Sequence, residues 1–138
     1  MVYRLALSYL RSAPDAEDVC QTVFLRLIEQ REHLLPGKER AWLARVTVNL
    51  CRDWLRAAQR QNTSPLTDEP AAEWQEPSLL PDAIMALGEK ERAAVYLFYY
   101  EGYSAKETAE ILGLSVTAVT TRLGRAREHL RNQLEDAI

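Results

Sequence analysis

Two cysteines in 138 residues, Cys20 and Cys51, are too few and too far apart for a disulfide framework, and no C-x-x-C pair occurs. The two histidines, His33 and His129, have no partner at metal-ligand spacing, so neither a metal nor a small-molecule cofactor is implied. No apolar run approaches the roughly 18 residues that cross a bilayer. The N-terminal stretch MVYRLALSYLRSAPDAED also lacks a long apolar core followed by a small-residue cleavage site. A cytoplasmic chain with no direct membrane insertion is expected. No segment alternates apolar and polar residues between turn residues, which argues against strands and for an all-α fold. None of the Cys, His, Ser or carboxylate residues falls into a motif that pairs a nucleophile with its base, so an enzyme is the poorest fit.

Basic charge is missing from one part of the chain only. The total is 17 Lys/Arg against 20 Asp/Glu, a net charge of −3. Residues 1–60 carry ten basic and seven acidic side chains, residues 61–89 carry none and six, and residues 90–138 carry seven of each. The middle, QNTSPLTDEPAAEWQEPSLLP, holds four of the six prolines and shows no helical period. It reads as a flexible acidic linker over residues 62–80. With 47% hydrophobic and 27% charged residues the remainder is ordinary for folded protein. Two small helical domains, 1–61 and 81–138, are therefore expected on either side of the linker.

In the first domain a short helix over about Val2 to Arg11 begins in mid-pattern at Met1. The second helix opens at Asp15, with Glu17 and Asp18 in its first turn where the helix dipole favours them, and runs to the Pro36–Gly37 break. At 100° per residue Val19, Cys20, Val23, Phe24, Leu27 and Ile28 form an apolar stripe. Asp18, Gln21, Thr22, Leu25 and Glu29 gather on the other side, where Leu25 is either a singly exposed leucine or part of a docking surface. The third helix, RAWLARVTVNLCRDWLRAAQRQ, is expected to bury Leu43, Val46, Thr47, Leu50, Trp54 and Ala57. Arg45, Asn49, Arg52, Arg56 and Arg60 fall within about 80° of each other, with Trp42 at the start of that face. An amide, an aromatic and a row of guanidinium groups suit a phosphate backbone and exposed bases. A solvated face with i,i+4 charge pairs would look the same.

The second domain carries the sharper signal. Ser104-Ala-Lys-Glu107 has the capping-box form S-x-x-E, Ala109, Ile111 and Leu112 supply an inner face, and Gly113 can take the left-handed conformation that ends the helix. Ser115 then caps the next helix, in which Val116, Val119, Leu123, Ala126, Leu130 and Leu134 form the inner stripe. Two short helices about so tight a joint are a helix-turn-helix. Thr117, Ala118, Thr121 and Arg125 point outward near the start of the second helix, flanked by Arg122, as small polar and basic side chains do on a helix that enters the major groove. Any compact α-hairpin can use the same caps.

Taken together these segments resemble bacterial RNA polymerase sigma factors of the extracytoplasmic-function group, which consist of a region 2 and a region 4 domain joined by a linker. DAEDVCQTVFLRL is similar to the polymerase-clamp-binding helix of that family, RAWLARVTVNLCRDWLR to the helix that reads and melts the downstream promoter element, and the stretch from LGEKERAAVYLF through ILGLSVTAVTTRLGRAREHLR to region 4. The resemblance implies that Asp18, Gln21, Thr22, Leu25 and Glu29 bind core RNA polymerase. It implies that Trp42, Arg45, Asn49, Arg52 and Arg56 engage the downstream element, and that Ser115, Thr117, Ala118, Thr121, Arg122 and Arg125 read the upstream element as duplex DNA. The partners it implies are core RNA polymerase, promoter DNA and an anti-sigma factor. The chain departs from the family pattern at Leu87-Gly88, where the family often has Leu-Pro, and at Thr120, where it often has a lysine. It departs also at Gln21-Thr22, where an acidic residue commonly follows the glutamine, and in a first helix expected to lack its first turns.

Two other readings fit the same residues. A helix-turn-helix regulator acting without polymerase would bind a palindrome as a dimer. A degenerate sigma-like interaction protein would bind a partner and no DNA.

Overall fold

A computed structural model describes residues 1–61 and 82–137. The linker expected over residues 62–80 lies outside them. All the described secondary structure is helical, and the chain divides into two compact units, each with its own core.

The first unit is built from α1 (Val2–Leu10), α2 (Ala13–Gln30) and α3 (Glu39–Gln61). Arg11, in the left-handed region at φ 55°, ends α1, and its backbone N–H donates to the Leu7 carbonyl. Ser12 caps α2 by accepting from the Asp15 N–H, and Pro14 sits in the first turn, where a missing N–H costs nothing. This tight connection brings α1 against α2, and α3 packs on both. Leu5, Ala6, Leu7, Ala16, Val23, Ala44, Val48 and Cys51 are buried at their meeting point.

Two faces differ from the sequence expectation. Val19 and Val23 of α2 are buried, but Phe24 and Ile28 are 48% and 66% exposed. At 100° per residue Ala16, Val19 and Val23 form the packed face, and Phe24 and Ile28 lie more than about 90° round from its centre, so the packed face is narrower than the apolar stripe. In α3 only Thr47 of the expected inner set is fully buried; Leu43, Val46 and Leu50 are half-buried, and Trp54 and Ala57 are exposed. The buried strip is instead Ala44, Thr47, Val48 and Cys51, about a quarter turn round. Small side chains there let the helix axes approach closely, which a count of large apolar residues does not register. The buried Thr47 hydroxyl is satisfied by donating 2.7 Å to the Leu43 carbonyl.

The second unit contains α4 (Asp82–Met85), α5 (Glu89–Val95) running on into a π-helical turn (Tyr96–Tyr100), α6 (Ala105–Leu112) and α7 (Val116–Ala137). Tyr96, Leu97, Ala94, Leu112, Val119, Leu123 and Ala126 form its core. Arg92 is almost fully buried and satisfied in part by a 2.9 Å bond from its Nη1 to the Leu87 carbonyl. The chain turns into α6 through Gly102 at φ 79°, and Tyr103 N–H donates to the Leu97 carbonyl. Val116, expected in the inner stripe, is 46% exposed because it is the first residue after the cap and projects past the packed part of α7.

Candidate nucleic-acid interface

The joint between α6 and α7 is fixed by local hydrogen bonds at both ends. Ser104 Oγ accepts 3.0 Å from the Glu107 N–H, and the Glu107 carboxylate accepts 3.0 Å from the Ser104 N–H, a complete capping box. The backbone bond from Ser104 is the main cause holding the Glu107 carboxyl below the usual carboxylate range. At the other end Gly113 adopts φ 68°, ψ 37°, and Leu114 N–H returns 2.9 Å to the Ala109 carbonyl, which closes α6. Ser115 Oγ then accepts 3.1 Å from the Ala118 N–H and starts α7. Ala109, Ile111, Leu112, Val119 and Leu123 lie buried between the two helices, so the direction of α7 is set by packing as well as by its caps.

Of the residues assigned to the upstream element, Ser115, Thr117, Thr121 and Arg125 are exposed, and Ala118 and Arg122 are half-buried. Two positions outside the assigned set share this surface: Thr120, noted above only as a departure from the family pattern, and Gly124, which the sequence reading passed over. Thr120 is exposed beside Thr117, and Gly124 lies about 20° from Thr117 round the helix, in the middle of the outward strip. The same 100° count that placed Thr121 outward would have found both. Farther along α7, Arg127 Nη1 donates 2.8 Å to the Tyr99 hydroxyl, and the His129 ring nitrogen lies 2.9 Å from the Glu91 carboxylate. Both contacts tie α7 to the segment before the helix-turn-helix.

In the first unit the basic face of α3 points to solvent. Arg45, Asn49, Arg56 and Arg60 are exposed, Trp42 and Arg52 half-buried, and Arg56 pairs with Asp53 on the surface. On α2, Asp18, Gln21, Thr22, Leu25 and Glu29 are all exposed, and Leu25 shows 61% of its surface. Phe24 and Ile28 adjoin this face, so α2 presents more apolar surface than Leu25 alone. Each of the three predicted sets is thus gathered on one helix, two in the first unit and one in the second.

Cys51 is fully buried, and burial, with the Cys20 thiol nearby, pushes its pKa up to about 12. Among the described residues no group of three or more His, Cys, Asp or Glu side chains could hold a metal ion. No described helix is long and apolar enough to cross a membrane.

Two family profiles match the chain: sigma-70 region 2 over residues 1–61 and sigma-70 region 4 over residues 78–130. The probable RNA polymerase sigma factor RfaY of Xanthomonas campestris pv. campestris is 34% identical over 96% of this chain, which spans 37% of that protein's length. The extracytoplasmic-function sigma factor SigM of Mycobacterium tuberculosis is 33% identical over 96% of this chain and 71% of its own. Among solved structures, the sigma factor RpoE from Bartonella quintana, in complex with the anti-sigma factor NepR, has a similar fold. Its TM-score is 0.76 at 22% identity, over 97% of this chain and 89% of that one.

Proposed function

This chain belongs to the extracytoplasmic-function group of sigma-70 RNA polymerase sigma factors, and from that premise we propose that it is a dissociable promoter-specificity subunit of RNA polymerase. It docks on the core enzyme, directs it to promoters carrying an upstream and a downstream element, and leaves RNA synthesis to the polymerase, with no catalysis of its own. It works in the cytoplasm, where the polymerase is. An anti-sigma factor that withholds it from the core enzyme is a further partner implied by the family resemblance.

The observation that carries this reading is the helix-turn-helix of the second unit, whose α7 holds Thr117, Thr121 and Arg125 outward on a rigidly capped joint. Such a helix end fits the major groove, where base edges differ from pair to pair. A second cationic face on α3 supports a division of labour. Its guanidinium groups attract phosphate, and Trp42 and Asn49 can stack on and hydrogen-bond to bases once the strands separate. The exposed α2 face, with Leu25 ringed by Asp18, Gln21, Thr22 and Glu29, is the docking surface for the polymerase clamp. A small apolar centre with a polar rim is the usual anatomy of such a contact.

The division of labour is testable. Replacing Arg125 with Ala is expected to cost about 1–3 kcal/mol in upstream-duplex binding if the side chain reaches a base edge. Replacing Arg52 and Arg56 with Ala should leave that binding intact and reduce open-complex formation, read as permanganate reactivity of the melted strand with core polymerase present. Exposed Arg56 and its surface pair with Asp53 contribute little to stability; Arg52 is half-buried, so circular dichroism melts check that the double variant stays folded. Equal loss of isolated duplex binding in both variants, with melting unchanged, would favour a single-surface repressor instead.

A further inference from the structure

Two hydroxyl groups on the outward strip of α7, those of Thr120 and Thr121, are already engaged. Thr120 Oγ1 and Thr121 Oγ1 both donate 2.9 Å to the carbonyl of Thr117. A carbonyl can only accept, so each threonine has committed its single donor to its own helix. What they offer to a ligand is a methyl group and the acceptor lone pairs of the hydroxyl oxygen. Val116, 46% exposed beside Thr120, adds another apolar group. Arg131 is exposed on the same face, about 40° from Thr117 but roughly two turns beyond Gly124; between Thr117 and Gly124 the middle of the strip holds no cation. Arg125 lies about 80° round the helix from Thr117, and Arg127, on the opposite flank, is bonded to Tyr99.

Gly124 completes the strip. Apart from its own helix, no atom lies within 4 Å of where a Cβ would stand. Packing therefore does not require glycine there, although glycine weakens a helix interior relative to alanine. What its missing side chain does provide is a gap in the outward face, through which the helix backbone can approach a ligand closely.

Guanine shows only acceptors in the major groove, and the side chain that commonly reads it is a central arginine or lysine. Adenine and thymine together show one donor, two acceptors and a methyl group. The methyl groups of the strip match the thymine methyl and its acceptor oxygens match the adenine amino donor, whereas Thr120 and Thr121 bring no free donor to the acceptors of guanine. We propose that α7 reads its upstream element through the C5 methyl groups of thymines, packed at close range against the methyl groups of Thr120 and Thr121, with Gly124 as the gap that admits the groove edge. This inference rests on the promoter-reading function above.

The full chain with core polymerase is used to enrich binding sequences from a pool of duplexes randomised over the upstream element. The enriched duplex is then made with thymine and with uracil, which pairs identically and lacks only the methyl group. Uracil is expected to weaken binding about fourfold for each contacted methyl lost. Thr121→Ser, which removes the methyl and keeps the hydroxyl, should show a similar loss on the thymine duplex and none on the uracil duplex. Thr121→Val, which keeps a methyl group and loses the hydroxyl oxygen, should retain the preference for the thymine duplex over the uracil duplex. Gly124→Ala should unfold at higher temperature yet bind more weakly, a pairing that a merely structural role does not produce. Equal binding to thymine and uracil duplexes, or undiminished binding by Thr121→Ser, overturns the methyl readout and leaves the sigma function standing. Undiminished binding by Gly124→Ala overturns the close approach. A pool in which no sequence is enriched overturns the promoter-reading function and the inference together.

Discussion

Single residues divide into those whose role follows from chemistry and those whose role follows from position. The Cys51 thiol belongs to the first kind: fully buried, with its pKa pushed up to about 12, it has almost no thiolate at neutral pH. A thiol reagent added at pH 7 should modify Cys51 only as the first unit unfolds, and half-buried Cys20 first. Peptide mass mapping of the time course checks this, and early modification of Cys51 in folded protein would contradict it. Arg122 and Arg125 belong to the second kind. In the sequence they are equivalent arginines of one helix; in the fold Arg125 is exposed and Arg122 half-buried. Arg122→Ala should therefore lower the thermal midpoint of the second unit more than Arg125→Ala does, because the stem of a half-buried arginine also packs. Circular dichroism melts of the two variants decide the point, and equal midpoints would show that the Arg122 stem contributes no packing.

At the scale of elements, what was legible in the sequence was whatever is decided locally. The capping box at Ser104 and Glu107, the left-handed Gly113 and the Ser115 cap are short-range choices written in neighbouring residues, and the structure forms each of them. Ser104→Ala should cost about 1 kcal/mol and lower the midpoint of the second unit by several degrees. The Glu107 half of the box adds a pH dependence. Its carboxyl is held below the ordinary value of 4.5, so its contribution is complete above that pH and is lost as the pH falls through the lower folded value. Glu107→Ala should therefore be less stable than the natural chain at pH 7, and the gap should close under acid, as an acid titration of both melts would show. Helix faces were legible only where large apolar residues also do the packing. In α3 the close contact is made by Ala44, Val48 and Cys51, and Leu43, Leu50 and Trp54 drew the expected face toward themselves. In α2 the packed face centres on Ala16, Val19 and Val23 and is narrower than the apolar stripe, whose edge at Phe24 and Ile28 is exposed; how wide a face its neighbours cover is not recorded by any pattern inside α2. The outward strip of α7 was read in part, and Gly124 was passed over because a glycine presents no side chain to count.

For the whole molecule, the uneven charge was the most informative feature of composition. A net charge of −3 hides an excess of positive charge over residues 1–60, which includes the exposed row of Arg45, Arg56 and Arg60 on α3. A division into two compact units follows, and each carries its proposed DNA-binding face on a single helix. That economy is what a promoter-specificity subunit needs, because duplex recognition and strand opening act on different DNA structures. The central claim is that these surfaces work only in concert with a polymerase. Run-off transcription with purified core RNA polymerase on the promoter of the chain's own operon tests it most directly. The account predicts a transcript with a defined start when this chain is added and none without it. Unchanged polymerase binding and unchanged start-site choice in its presence would contradict it.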